Sequence, residues 1–272
     1  MHDVSRPSPS SHSGASSDPE PPGLPVFTLR LGSVAGGRPP AQDVADLLVA
    51  AVPSFSLTPC EGFFQGRPDP GWAVTLAVPD PAVVAGLAEI LRHHFAQEGV
   101  GVEAYGRYLR CHAGCGAAAL LAEIQGLAHG LLPAYFLTRF SVPALPPQWP
   151  GRFAILTAWA TTGEHWPDER NRAADESLRQ ELVQRGLPHH RIVGASPDGQ
   201  HAEPGWIVET ELQEAVQLGQ AYRQDALYWV EADALRVVSC RDGRMAAVGA
   251  FSERVRVAAG RGDRSRKDPA GG

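Results

Sequence analysis

Pro70-Gly71-Trp72-Ala73-Val74-Thr75 and Pro204-Gly205-Trp206-Ile207-Val208-Glu209 are two strand-like runs that begin with the same three residues. A helix start follows each. Asp80-Pro81 sets an N-cap carboxylate before a proline at the first helical position, and Thr210-Glu211-Leu212-Gln213 reads as a capping box. Both devices satisfy backbone N–H groups that a helix start leaves without partners. The next stretches keep apolar residues on one helical stripe: Val83, Val84, Leu87, Ile90, Leu91 and Phe95 in the first, Leu212, Ala215, Val216, Gly219 and Tyr222 in the second. They finish on matching phrases, Phe95-Ala96-Gln97-Glu98-Gly99-Val100 and Tyr222-Arg223-Gln224-Asp225-Ala226-Leu227, and each leads into β-rich runs that close on Cys111 or Cys240.

Upstream the match continues. Phe27-Thr28-Leu29-Arg30 and Phe153-Ala154-Ile155-Leu156 read as opening strands, each followed by a loop and a helix. The first helix runs from about Ala41 to Ala51 with Val44, Leu47, Leu48 and Ala51 inward. Its counterpart begins at Asp168 as N-cap and stops at Gly186, in the left-handed position beyond a helix end. The same phrases in the same order predict an α+β chain: a tandem duplication of a ferredoxin-like β-α-β-β-α-β unit with an extra strand, in two domains. The expected divisions are a disordered tail over 1–23, a first unit over 24–115, a linker over 116–151, a second unit over 152–251 and a basic disordered tail over 252–272. The linker combines an Ala/Leu-rich helix from Gly116 to Gly130 with a stiff proline-rich connector from Pro143 to Pro150.

Composition narrows the function classes. The 272 residues are 43% hydrophobic and 20% charged, and no apolar run reaches the roughly 20 residues of a membrane helix, so no membrane role is expected. The first 23 residues lack the charged start and apolar segment of a secretory signal, and the four cysteines are too scattered for a disulfide framework; both features predict a cytoplasmic protein with free thiols. The net charge is −6, to which residues 252–272 contribute +3 and residues 1–23 contribute −2, leaving −7 for the body. An acidic body disfavours a broad phosphate-binding face, so nucleic-acid contact would fall to the basic tail and be weak and salt-sensitive.

From Phe153 onward, Phe153-Ala154-Ile155-Leu156-Thr157-Ala158-Trp159, Asn171-Arg172, Glu203-Pro204-Gly205-Trp206 and Gln224 resemble an uncharacterised bacterial family, DUF3293, over residues 152–240. Where the family pattern places a short polar Asn-Pro turn after the Thr-Ala phrase, this sequence has Trp159-Ala160-Thr161-Thr162. The resemblance implies a domain and no chemistry.

The predicted unit gathers Thr157, Trp159, His165, Asn171, Glu203, Trp206 and Gln224 at one end of the second sheet. Asn171 lies on the stripe of Ala174, Leu178 and Leu182, where an amide must find hydrogen-bond partners. Two readings stay open: these groups hold the loops together, or Thr157, Trp159, Asn171, Glu203, Trp206 and Gln224 line a ligand pocket. Glu203 with His165 or His201 could exchange protons, yet no Ser or Cys stands in a recognisable nucleophile setting. Cys111-His112-Ala113-Gly114-Cys115 lacks the second ligand pair of a zinc site, and Gly32-Ser33-Val34-Ala35-Gly36-Gly37 lacks the Lys-Ser/Thr ending of a phosphate loop. Neither a metal nor a cofactor is expected.

The leading expectation is a non-catalytic binding or regulatory module that presents an end cleft or sheet face to a small polar ligand or a protein partner. Exposed sheet edges would also allow a homodimer. The alternatives are an enzyme confined to the second unit, acting through Asn171, Glu203 and Gln224 on a small polar or nucleotide-like substrate, and a nucleic-acid accessory protein using the tail.

Overall fold

A computed structural model describes residues 23–35, 37–161 and 163–258. In chain order the elements are β1 (Val26–Leu31), α1 (Ala41–Val49), β2 (Phe55–Phe64), β3 (Arg67–Ala77), α2 (Pro81–His94), β4 (Gly99–Ala104), β5 (Arg107–His112), α3 (Ala117–His129), β6 (Arg139–Val142), β7 (Arg152–Leu156), α4 (Asp168–Gln184), β8 (His189–Ala195), β9 (Ala202–Val208), α5 (Leu212–Ala221), β10 (Ala226–Glu231), β11 (Ala234–Ser239), β12 (Met245–Ala250) and β13 (Val255–Val257). The fold is α+β with two sheets. The first has the order β2-β3-β1-β4-β5, and the second β12-β11-β10-β7-β9-β8-β6-β13.

The centre of the second sheet, β8-β9-β7-β10, repeats the order β2-β3-β1-β4 of the first. The two Pro-Gly-Trp phrases hold the same register. Leu31 pairs with Trp72, and Leu156 pairs with Trp206. A Cβ on Gly71 would stand 1.9 Å from the Leu31 carbonyl oxygen, and one on Gly205 would stand 2.5 Å from that of Leu156. Glycine is therefore required at each place because two backbones pass too closely for any side chain. The late glutamines also act alike: Gln97 Nε2 donates to the Ser33 carbonyl at 2.8 Å, and Gln224 Nε2 donates to the Trp159 carbonyl at 2.9 Å.

The sheets differ in how many faces they bury. β1 alternates, with Phe27, Leu29 and Leu31 buried under α1 and α2 and Val26, Thr28 and Arg30 turned away. β7 reads Arg-Phe-Ala-Ile-Leu and is buried on both faces, Ala154 and Leu156 against the α4/α5 side and Phe153 and Ile155 against a second core. Strands covered on both sides need continuous apolar sequence rather than alternation. That second core is closed by Phe140, Val142, Phe251 and Val255.

These covering residues correct two sequence expectations. Residues 116–151 do more than connect: α3 places Leu120 and Ile124 in the first core and Ala122 beside Val237 and Ala246 of the second sheet, while β6 is itself a strand of that sheet. Residues 252–258 are not a disordered tail. β13 pairs in parallel with β6, Val255 is buried, and Arg254 donates to the carbonyls of Thr138 and Val248. Four apolar residues, Phe251, Val255, Phe140 and Val142, supply the driving force that counting arginines concealed. The tail expectations for 1–22 and 259–272 lie outside the described residues.

The caps divide. Asp80 accepts from the Ala82 N–H at 2.9 Å. The N-cap of α4 is Pro167 rather than Asp168, and the Thr210 hydroxyl donates to Glu214 rather than to a backbone group, so no capping box forms. Gly186 takes the left-handed conformation expected of it, φ 69°. Among the described residues, no helix is long and apolar enough to cross a membrane.

Candidate functional site

The loop leaving β7 is pegged by side chains from three elements. Thr157 Oγ1 donates to the Pro204 carbonyl at 3.1 Å and accepts from the Trp159 N–H at 3.2 Å. Asn171, 5% exposed near the start of α4, accepts from the Ala160 N–H at 2.9 Å through Oδ1 and faces the Trp166 carbonyl at 3.4 Å through Nδ2. Gln224, between α5 and β10, caps the Trp159 and Tyr222 carbonyls at 2.9 and 3.0 Å. Buried backbone groups in a loop must be paired somewhere, and these three residues pair them.

Over this frame lies a cavity of about 580 Å³. Its walls are residues 157–161 and 163–166 after β7, the β8–β9 hairpin and the segment 132–140 that precedes and begins β6; Ile155 and Tyr228 form part of the sheet side. Thr157, Trp159, Asn171, Glu203, Gln224 and His165 all border it. Trp206 does not. Side chains alternate along a strand, so Glu203 and Gly205 face the cavity while Trp206 turns to the helical side. There its indole N–H donates to Asp175 at 3.0 Å, the Arg191 guanidinium lies 4.3 Å from its ring centroid, and Arg191 grips Asp175 with two bonds of 2.8 and 2.7 Å.

The cavity is poor in cations. Among the described residues no Lys or Arg lines it, and its titratable side chains are Glu164, His165, His201, Glu203 and the tyrosines 135 and 228. Glu164 is already matched, by Arg223 at 2.8 Å and by the Trp166 indole at 2.8 Å. Glu203 meets His201 Nε2 at 2.9 Å through Oε1, and among the described residues its Oε2 has no hydrogen-bond partner. The Tyr228 hydroxyl lies 2.7 Å from that of Thr138 and 3.0 Å from the Tyr135 carbonyl oxygen; burial pushes the phenol well above its usual range, with the charge of Glu203 adding to the rise. Two residues bordering the cavity carry a buried polar atom that lacks any partner among the described residues: Trp159 at Nε1 and Thr161 at Oγ1.

Residues 156–227 match the model of a protein family of unknown function, DUF3293. The DUF3293 match thus spans β7's end, α4, β8, β9, α5 and the start of β10, and stops short of the segment 132–140 that walls the cavity on its other side. No curated protein matches the chain. A solved structure titled as a phage SAM lyase in its apo state aligns over 34% of this chain and 90% of its own, with 18% identity and a TM-score of 0.29, a likeness too slight to carry an argument.

Three features of the site and its surroundings were missed in the sequence. Asp175, 8% exposed, sits one helical turn after Asn171 on the same stripe, a spacing that could have flagged it. Tyr228 and the segment 132–140 gave no local sign, because only the folding of that segment across the sheet brings them to the cavity. A larger hollow, about 850 Å³, lies between α3 and the β11–β12 turn; it mixes Arg223, Arg241 and Arg244 with Glu123, Asp225 and Asp242 and concentrates neither sign of charge.

Proposed function

We propose that the chain is a tandem duplication of a ferredoxin-like unit and that its second copy is a small-molecule binding module. Support for the duplication is the shared central strand order, the shared register of Pro-Gly-Trp and the parallel duties of Gln97 and Gln224. The observation that carries the binding reading is the 580 Å³ cavity itself, two of whose lining residues, Trp159 and Thr161, hold a buried polar atom without a partner among the described residues. An unpaired buried polar group costs about 1–3 kcal/mol, and a turn of either side chain toward a bound ligand recovers it.

Binding is favoured over catalysis because Asn171 and Gln224, which an active site in this unit would use, have their amides committed to the loop backbone. A nucleotide-like ligand is disfavoured by the lack of cations along the wall, since phosphates are met by Arg, Lys or helix N-termini.

Thermal-shift screening of metabolites against the wild-type chain and Trp159→Phe tests the reading. The variant keeps a six-membered aromatic ring and loses the pyrrole half of the indole together with its N–H. A ligand that stabilises the wild type and loses most of its shift in Trp159→Phe supports the site; ligands that shift both equally place binding elsewhere and overturn it.

A further inference from the structure

The residue ahead of Pro-Gly-Trp is acidic in both halves, Asp69 in β3 and Glu203 in β9. Asp69 is consumed by its own loop: Oδ1 accepts from the Ser33 N–H and the Ser33 hydroxyl, each at 2.7 Å. The approach is so close that a Cβ on Gly32 would fall 2.6 Å from Asp69 Oδ2. In the second half, Thr157 and Asn171 hold the equivalent loop beside Gln224, which acts as Gln97 does in the first, and the longer Glu203 side chain is released toward the cavity. There it pairs with His201, which lies 70% exposed, and keeps Oε2 without a hydrogen-bond partner among the described residues.

Resting on the binding reading above, we propose that the cavity takes a small organic cation, an ammonium or guanidinium compound with an apolar body, whose positive group sits against Glu203. Two features converge on this class. Glu203 is the carboxylate of the wall not already matched by an arginine, since Glu164 is held by Arg223. Aromatic side chains, Trp159, Tyr135, Tyr228 and Phe140, border the same space, and aromatic faces attract cations as well as apolar groups. An anion would face Glu203 with no compensating cation on the wall.

The test uses the full chain, ¹⁵N-labelled, with three phenyl-bearing probes that differ in charge: benzyltrimethylammonium, benzyl alcohol and benzoate. The Trp159 indole signal, assigned by its loss in Trp159→Phe, reports occupancy. The expected result is saturable perturbation by the cation, at least about tenfold weaker binding of the alcohol and benzoate, a drop of about tenfold for the cation in Glu203→Gln, and recovery of the cation preference in Glu203→Asp. If the alcohol or benzoate binds as well as the cation and Glu203→Gln changes nothing, the cation assignment is overturned while the cavity stands as a binding site. If none of the probes moves the Trp159 signal, the binding reading falls and the cation assignment with it.

Discussion

Asp69 and Glu203 stand at the same place before Pro-Gly-Trp, and they do opposite things: Asp69 takes the Ser33 N–H and hydroxyl at 2.7 Å each, while Glu203 leaves its loop and meets His201 at 2.9 Å. One carboxylate serves the fold and the other faces a cavity. The two positions should therefore respond differently to neutralisation.

Asp69→Ala is expected to destabilise the chain by about 1–3 kcal/mol, because the Ser33 N–H loses its partner at a part-buried site. Glu203→Gln keeps a polar side chain at a position with no backbone donor to satisfy, so its unfolding midpoint should stay close to wild type. Urea denaturation of the two variants side by side measures both.

Gly71→Ala and Gly205→Ala each push a methyl group into a carbonyl oxygen, at 1.9 and 2.5 Å, which the strand pairing can relieve only by moving. Losses of about 1–3 kcal/mol are expected, larger for Gly71. Gly86 provides the contrast: it lies inside α2 with nothing within 4 Å of its would-be Cβ, so Gly86→Ala should stabilise by about 0.5–1 kcal/mol. Denaturant midpoints of the three variants decide.

Asp175→Ala removes the partner of both Arg191 and the Trp206 indole while leaving those groups in place. A loss of about 2–4 kcal/mol follows from stranding a half-exposed guanidinium and a part-buried N–H together. Because the cavity lies on the other face of β9, ligand shifts at Trp159 should survive in this variant below its melting point, and their disappearance would count against the separation of the two faces.

Alkaline behaviour follows from Cys240. Burial pushes its thiol from 9.0 up to about 12 in the folded chain. The unfolded thiol ionises at the ordinary value, so the unfolded state releases its proton first and stability falls as pH rises from about 9 toward 12. Cys240→Ala should flatten that decline across the same window, measured by urea unfolding at stepped pH, whatever its effect at neutral pH.

Much of the second site was legible because its parts are local or periodic. The helical spacing from Asn171 to Leu178 and Leu182 placed an amide on a buried stripe, and the cap at Asp80 and the stop at Gly186 follow from single-residue chemistry. The Asp168 and Thr210 caps failed for a related reason. Several polar residues cluster at each helix start, and which one meets the first N–H groups depends on the entering chain, fixed at α4 by Pro167.

By itself, the sequence determined the alternation of β1, the continuous apolar run of β7, the paired Pro-Gly-Trp phrases and the helices between them, since each is set by spacing along one element. Tertiary structure alone decided that residues 132–142 and 251–257 close over the second sheet and leave the first sheet's outer face open. It also decided that Trp206 turns away from Glu203 and that Glu203, unlike Asp69, is left to a cavity. These outcomes depend on which distant segment reaches a given surface first and satisfies its polar groups, and no period or motif within a single element records that.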